Sequence, residues 1–266
     1  MRPFLKWAGG KYRLVELIKA QLPPGKRLLE PFAGSCALSL NTDYHNYWLN
    51  DINTDLINLY QALQREGTAF IEFCREYFTP ETNTAEKYYE IRKQFNRETD
   101  ILVKSALFIY LNRHGYNGLS RYNASGEFNV PFGKYSKPYF AEKELTYFLA
   151  KFENAEFTSL DFETMLSKAR NGDVVYCDPP YEPLSETSNF TSYSAGGFGR
   201  SEQKRLAEVA SRTAARGIPV LISNHSTDFI KEIYQKAQKI EFPVRRFISC
   251  NGDNRNTVVE ILAIFK

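Results

Sequence analysis

The stretch Val174-Val175-Tyr176-Cys177-Asp178-Pro179-Pro180-Tyr181 runs from four apolar residues straight into a carboxylate, two prolines and an aromatic ring. A short apolar run that stops at a turn signal predicts a strand buried in a parallel sheet. Ligands of open α/β sheets gather at the carboxyl ends of the strands, which is where Asp178, Pro179, Pro180 and Tyr181 fall. The Asp178 carboxylate and the neighbouring backbone carbonyls are acceptors suited to an amino group. The prolines stiffen the backbone that presents those carbonyls, and Tyr181 offers a face for stacking. A plain turn explains the prolines but not the combination.

Similar apolar runs lie at residues 27–30, 47–50, 220–223 and 258–265, and helical periodicity at 13–21 and 202–215. Strands that alternate with helices predict an α/β fold with a mostly parallel sheet. The stretch from about 55 to 144 breaks this rhythm, with helical patterns at 56–63, 84–95 and 101–112 and then a run at 114–139 rich in Gly, Asn and Tyr. It reads as an inserted domain, so the expected division is 1–55 with 145–266 for one domain and 56–144 for the other.

A chain of 266 residues, 43% hydrophobic and 24% charged, has room for one or two ordinary cores and excludes a disordered or repetitive protein. The first residues lack the apolar run of a signal peptide, and no window is long and apolar enough to span a membrane, so a cytoplasmic location is expected. Cys36, Cys74, Cys177 and Cys250 form no C-x-x-C pair, and His45, His114 and His225 form no ligand grouping; neither a disulfide framework nor a metal site is expected. A net charge of +3 permits a polyanionic partner without requiring one.

Leu28-Leu29-Glu30-Pro31-Phe32-Ala33-Gly34-Ser35-Cys36 is a strand running into a small-residue turn, and Asp51 follows the next apolar run. An acidic residue there meets ribose hydroxyls in nucleotide-binding α/β folds. The N-terminal Lys6-Trp7-Ala8-Gly9-Gly10-Lys11 is not a phosphate loop, because Leu5 and Tyr12 occupy positions that would need Gly and Ser or Thr. From Lys104 to Lys137 five basic residues (Lys104, Arg113, Arg121, Lys134, Lys137) face one acid, Glu127, among Tyr110, Tyr116, Tyr122, Phe128, Phe132 and Tyr135. That mixture suits phosphate contact and stacking, although a solvated face has the same composition.

Taken together, the D-P-P-Y motif, the K-W-A-G-G-K start, the 28–36 turn and the segment from Asn112 to Tyr135 resemble the Dam family of DNA adenine-N6 methyltransferases over essentially the whole chain. The resemblance implies the S-adenosylmethionine-dependent methyltransferase fold, a seven-stranded, mostly parallel sheet with a reversed seventh strand and an inserted helical target-recognition domain. It implies methyl transfer from S-adenosyl-L-methionine to adenine N6 in duplex DNA, within GATC, by direct displacement on a flipped base, in a bacterial cytoplasm or a phage-infected cell. A monomer is expected.

By this resemblance, Asp178 and the Pro179 carbonyl polarise the amine while Tyr181 stacks on the base. Trp7, Lys11, Phe32, Gly34 and Asp51 line the cofactor site with Asp178, and Asp161 and the Phe162 backbone hold the cofactor's adenine. The second glycine of the family's F-x-G-x-G turn is replaced, the segment reading Gly34-Ser35-Cys36. In the hairpin, Tyr116 would wedge into the stack and Asn117 would approach the base left unpaired. Leu119 and Pro131 would pack on the thymine methyl, which is displayed only in the major groove. Arg121 would bridge the outer guanine, Lys6 and Tyr135 would attend to the first pair, and Lys134 would meet phosphate. Residues 189–199 resemble a loop that closes over the site. Enzymes acting on RNA, cytosine or protein glutamine tend to carry Ser or Asn at the position of Asp178, and a silent DNA-binding protein would not need that motif.

Overall fold

The computed structural model describes residues 1–184, 197–245 and 257–266. Seven strands, β1 (Arg27–Glu30), β2 (Asn46–Asn50), β3 (Glu156–Thr158), β4 (Asp173–Cys177), β5 (Val220–His225), β6 (Gln238–Arg245) and β7 (Thr257–Phe265), form one sheet in the order β3-β2-β1-β4-β5-β7-β6. All pairings are parallel except those of β7, which runs against both β5 and β6, so the expected α/β methyltransferase-type sheet with one reversed strand is present. Five strands coincide with the apolar runs. The other two, β3 and β6, are the sheet's edges, where half the backbone neighbours are missing and a continuous apolar run is not required.

The helices are α1 (Val15–Lys19), α2 (Thr54–Glu66), α3 (Thr68–Arg75), α4 (Ala85–Arg97), α5 (Ile101–His114), α6 (Glu142–Lys151), α7 (Phe162–Ser167), α8 (Arg200–Ala214) and α9 (Asp228–Ile233). Their starts carry readable caps: Asn53, Thr84 and Asp100 accept from the backbone N–H of Leu56, Lys87 and Val103. The pattern at 13–21 becomes a single 3₁₀ turn, Lys11–Leu14, followed by the short α1.

Side chains of successive strand residues point to opposite faces, and the core divides accordingly. Leu28, Val174, Tyr176 and Leu221 join one cluster with Tyr60 of α2, Tyr88 of α4, Phe108 of α5 and Phe148 of α6. Leu29, Val175, Cys177 and Ile222 join the other with Met165, Leu206 and Ile230 on the opposite side. The helices between β2 and β3 therefore share one continuous apolar cluster with a sheet face. Within it α5 is buried from Ser105 to His114 on all sides, so its hydrophobic pattern is not amphipathic. Cys36, Cys74 and Cys177 are buried free thiols, and Cys250 lies outside the described residues.

The carboxyl ends of β1, β2, β4 and β5 line up Glu30, Asn50, Cys177 and His225 along one rim. Asn50 is fully buried and ties that rim together, donating to the Pro31 and Leu160 carbonyls while accepting from the Leu160 N–H and the Thr158 hydroxyl.

Candidate active site

Asp178 follows β4 directly. Its Oδ1 lies 3.0 Å from Nζ of Lys11, an ammonium that also donates to the Gly9 carbonyl at 2.7 Å and sits 4.3 Å from the centre of the Tyr181 ring. The 3₁₀ turn after Gly10 brings Lys11 here from the other end of the chain, and the residue is only 8% exposed. Burial raises the Asp178 carboxyl above its ordinary value, and the neighbouring Lys11 charge opposes that rise. The Tyr181 hydroxyl donates to Glu260 Oε2 at 3.1 Å, and its ring meets His225 edge-on. Among the described residues the Pro179 carbonyl receives no donor, whereas the Pro180 carbonyl does. A carboxylate, an open carbonyl and an aromatic face thus converge at the rim.

On the neighbouring side, Trp7 lies against the turn after β1. A Cβ on Gly34 would stand 2.7 Å from Trp7 Nε1, and the backbone there has φ +45°, so glycine is required on two counts. The Gly34 N–H donates to Asp51 Oδ2 at 2.9 Å and the Asn53 N–H to Oδ1 at 3.0 Å, while Tyr60 donates to the Gly34 carbonyl at 2.6 Å. Asp51 therefore braces the turn, and each of its oxygens keeps a second lone pair. Burial raises its carboxyl, and the two N–H bonds oppose the rise. Cys36, which stands where the motif has its second glycine, holds φ +57°, a conformation glycine adopts readily.

Phe32 packs on Phe162 and Phe198, with ring centres 5.6 and 5.4 Å away. Asp161 caps α7 through the Glu163 N–H and also takes both terminal nitrogens of Arg205, which lies over the Phe162 ring. Burial, the largest single influence, raises the Asp161 carboxyl, but the Arg205 hydrogen bond and charge and the backbone N–H bonds of Glu163 and Thr164 together turn the net direction down.

Two residues of this rim were not singled out from sequence. Glu30 is 2% exposed and accepts from both the N–H and the hydroxyl of Ser39; burial pushes its carboxyl up to about 8. Its place between two leucines and a proline gave no signal beyond the end of a strand. Ile52, next to Asp51, is 64% exposed.

The hairpin after α5 is held by backbone bonds between Tyr116 and Pro131, Gly133 and His114, and Asn129 and Arg121. Tyr116, Asn117, Arg121, Pro131 and Lys134 are exposed, and Leu119 is half-buried. Lys6 places its ammonium 3.9 Å over the Tyr135 ring, whose hydroxyl accepts from the Asn117 N–H at 3.0 Å, so these three meet at one point. Gly118 is held against them, because a Cβ there would strike the Lys6 side chain at 2.3 Å. The Arg121 Nε donates to Asn129 Oδ1 at 2.8 Å, which orients its guanidinium.

Two sequence expectations need correction. Arg113 is buried, with its guanidinium on the Phe4 carbonyl, and Lys104 pairs with Asp55 at 3.1 Å; neither is available to a polyanion, which reduces the basic surface to Arg121, Lys134 and Lys137. Tyr110 and Phe128 are core rings, not stacking surfaces. Of the closing loop expected at 189–199, residues 189–196 lie outside the described residues.

Residues 7–246 match the model of the D12 class N6 adenine-specific DNA methyltransferase family. The chain is 51% identical over 265 residues to the DNA adenine methylase of Escherichia coli, covering 100% of this chain and 95% of that one. It is 50% identical to that of Vibrio cholerae, with 99% and 96% covered, and 48% identical to that of Serratia marcescens, with 100% and 98% covered. With that match over most of its length and half of its residues identical to these DNA adenine methylases, the chain belongs to the D12 class of N6 adenine-specific DNA methyltransferases.

Proposed function

We propose that this enzyme transfers a methyl group from S-adenosyl-L-methionine to N6 of adenine within GATC, acting in the cytoplasm on a base flipped out of duplex DNA. The observation that carries this reading is the convergence of Asp178, the open Pro179 carbonyl and the Tyr181 ring. Two acceptors aimed at one amine concentrate its lone pair on the side away from them, and the ring supports the base plane. No covalent bond to the protein is needed, and the amine's departing proton leaves along its hydrogen bond to Asp178.

The neighbouring residues fit the donor. Trp7 packs directly on the Cβ-less Gly34 and offers an indole beside the turn, the Asp51 oxygens keep lone pairs for ribose hydroxyls, and Phe32, Phe162 and Asp161 offer apolar and acceptor groups to an adenine. When bound, the cofactor supplies an already activated sulfonium methyl. Lys11 favours the ionised form of Asp178, against the burial that raises its carboxyl.

The hairpin supplies recognition, as the core of a domain at 56–144 beside a catalytic domain at 1–55 and 145–266. Exposed Tyr116 can enter the stack, Asn117 can approach the unpaired base, and Leu119 and Pro131 can pack on a thymine methyl. Extraction of a base costs a few kcal/mol, offset by stacking on Tyr181 and by Tyr116 insertion.

Labelled-methyl transfer to duplexes with and without GATC tests the reading: incorporation confined to GATC is expected, and equal incorporation into both refutes the specificity. For flipping, 2-aminopurine at the target should brighten on binding, less so or more slowly with Tyr116→Ala.

A further inference from the structure

The residues immediately after Asp178-Pro179 cannot continue β4, because two prolines remove the donors a ladder needs. Their polar groups are taken up instead by buried side chains. Gln203, on the first turn of α8, and Asn224, at the end of β5, are both fully buried. Asn224 Oδ1 accepts from the backbone N–H of Glu182 at 3.0 Å and of His225 at 2.9 Å. Two N–H donors facing one atom require it to be the oxygen, so the amide can adopt one orientation only. Its Nδ2 then donates to Gln203 Oε1 at 3.0 Å and to the Tyr234 hydroxyl at 3.4 Å. With its oxygen committed to Asn224, Gln203 must turn its Nε2 outward, where it donates to the Pro180 carbonyl at 2.7 Å.

The same loop is pinned again two residues later. The Glu182 carbonyl meets His225 Nδ1 at 2.7 Å, and its buried carboxylate takes Nε of Arg200 at 2.7 Å. Restraints thus fall on Pro180 and Glu182, on either side of Tyr181, while the Pro179 carbonyl keeps no partner among the described residues.

We propose that Gln203 and Asn224 form a directional two-amide relay that occupies the Pro180 carbonyl and thereby aims the Pro179 carbonyl and the Tyr181 ring for methyl transfer. Neither side chain touches the reacting atoms; both are positioning residues. The inference rests on the assignment of Asp178 and the Pro179 carbonyl as acceptors of the target amine. The relay acts on the chemical step and on the Tyr181 stacking that offsets base extraction; Trp7, Asp51 and the DNA hairpin lie outside the relay, so cofactor binding and the initial DNA contact are spared.

Gln203→Glu tests it. The carboxylate keeps an acceptor for Asn224 but sets an oxygen against the Pro180 carbonyl; once protonated, the same group can donate and restore the bond. At pH 8 the single-turnover methyl-transfer rate on a GATC duplex should fall at least tenfold, with Kd for cofactor and for DNA within threefold of wild type. As pH is lowered, the deficit relative to wild type should shrink. A rate within twofold of wild type at every pH up to about 10, where a buried carboxyl also ionises, or a deficit equal at every pH, overturns the relay. If Gln203→Glu does not fold at pH 8, Gln203→Met, uncharged and of similar length, carries the same comparison, with a slow rate expected at every pH and a wild-type rate overturning the proposal. Asp178→Ala in parallel distinguishes the two levels. Full activity there refutes the acceptor assignment itself, whereas inactivity there with a wild-type rate in Gln203→Glu refutes only the relay.

Discussion

The ammonium of Lys11 touches the Asp178 carboxylate at 3.0 Å and the face of Tyr181 at 4.3 Å, so residues 167 positions apart in the chain share one charge at the rim. Burial pushes the Asp178 carboxyl up, and Lys11 pulls it back. Lys11→Met should let it rise further, moving the acid limb of the pH profile of kcat/KM to higher pH. A limb that stays in place shows that Lys11 does not govern this ionisation.

Trp7→Ala and Asp51→Ala should each weaken binding of S-adenosylmethionine at least tenfold, the first by removing the indole and the second by releasing the Gly34 turn as well as losing ribose bonds. Calorimetry without DNA is the measurement. Unchanged affinity in both variants places the cofactor elsewhere.

Glu30 carries a stability prediction. Its carboxyl, ordinarily near 4.5, is raised to about 8, so the unfolded chain gives up a proton that the folded chain retains. Its contribution to stability is complete below about 4.5 and is lost as pH rises through about 8, a difference on the order of a few kcal/mol. Glu30→Gln should flatten the dependence of Tm on pH across this window and raise Tm at its upper end. Superimposable curves for the two proteins contradict the assignment.

Arg121 and Lys134 should differ in kind. Losing a bidentate contact to guanine costs about 1–3 kcal/mol and relaxes discrimination at that one base pair. Losing a phosphate contact weakens all sequences alike and lowers the salt slope by about one. Arg121→Ala should therefore change the ratio of affinities between GATC and duplexes altered at an outer pair, and Lys134→Ala should leave it. Wild-type ratios in Arg121→Ala would reduce its role to charge alone.

How much of this was legible in the sequence depended on whether the signal was local. Interior strands were readable because both faces are covered and their central residues are apolar; the edges β3 and β6 were not, having no such requirement. Asp178 and Gly34 announced themselves through prolines and small residues beside strands. Glu30, Gln203 and Asn224 did not, because a buried polar residue in a strand or a helix turn has no local pattern; only its partners, brought from other elements, reveal it. For the same reason Arg113 and Phe128 were mistaken for surface. Composition counts charges and rings without knowing which way α5 and the hairpin turn them.

The main chain of Lys6 is clamped by Asn112 of α5, which accepts from its N–H at 2.9 Å and donates to its carbonyl at 2.8 Å, and a single peptide bond further on stands Trp7. The residue proposed to read the first base pair and the residue proposed to contact the cofactor are thus consecutive, and both hang from one amide of α5. Exchange of the recognition module for another is therefore not a matter of hairpin grafting alone. A donor segment has to bring its own equivalent of Asn112 matched to this N-terminal segment, and a chimera that retains the hairpin but loses that match would inherit an enzyme whose methyl donor and target are no longer held in step.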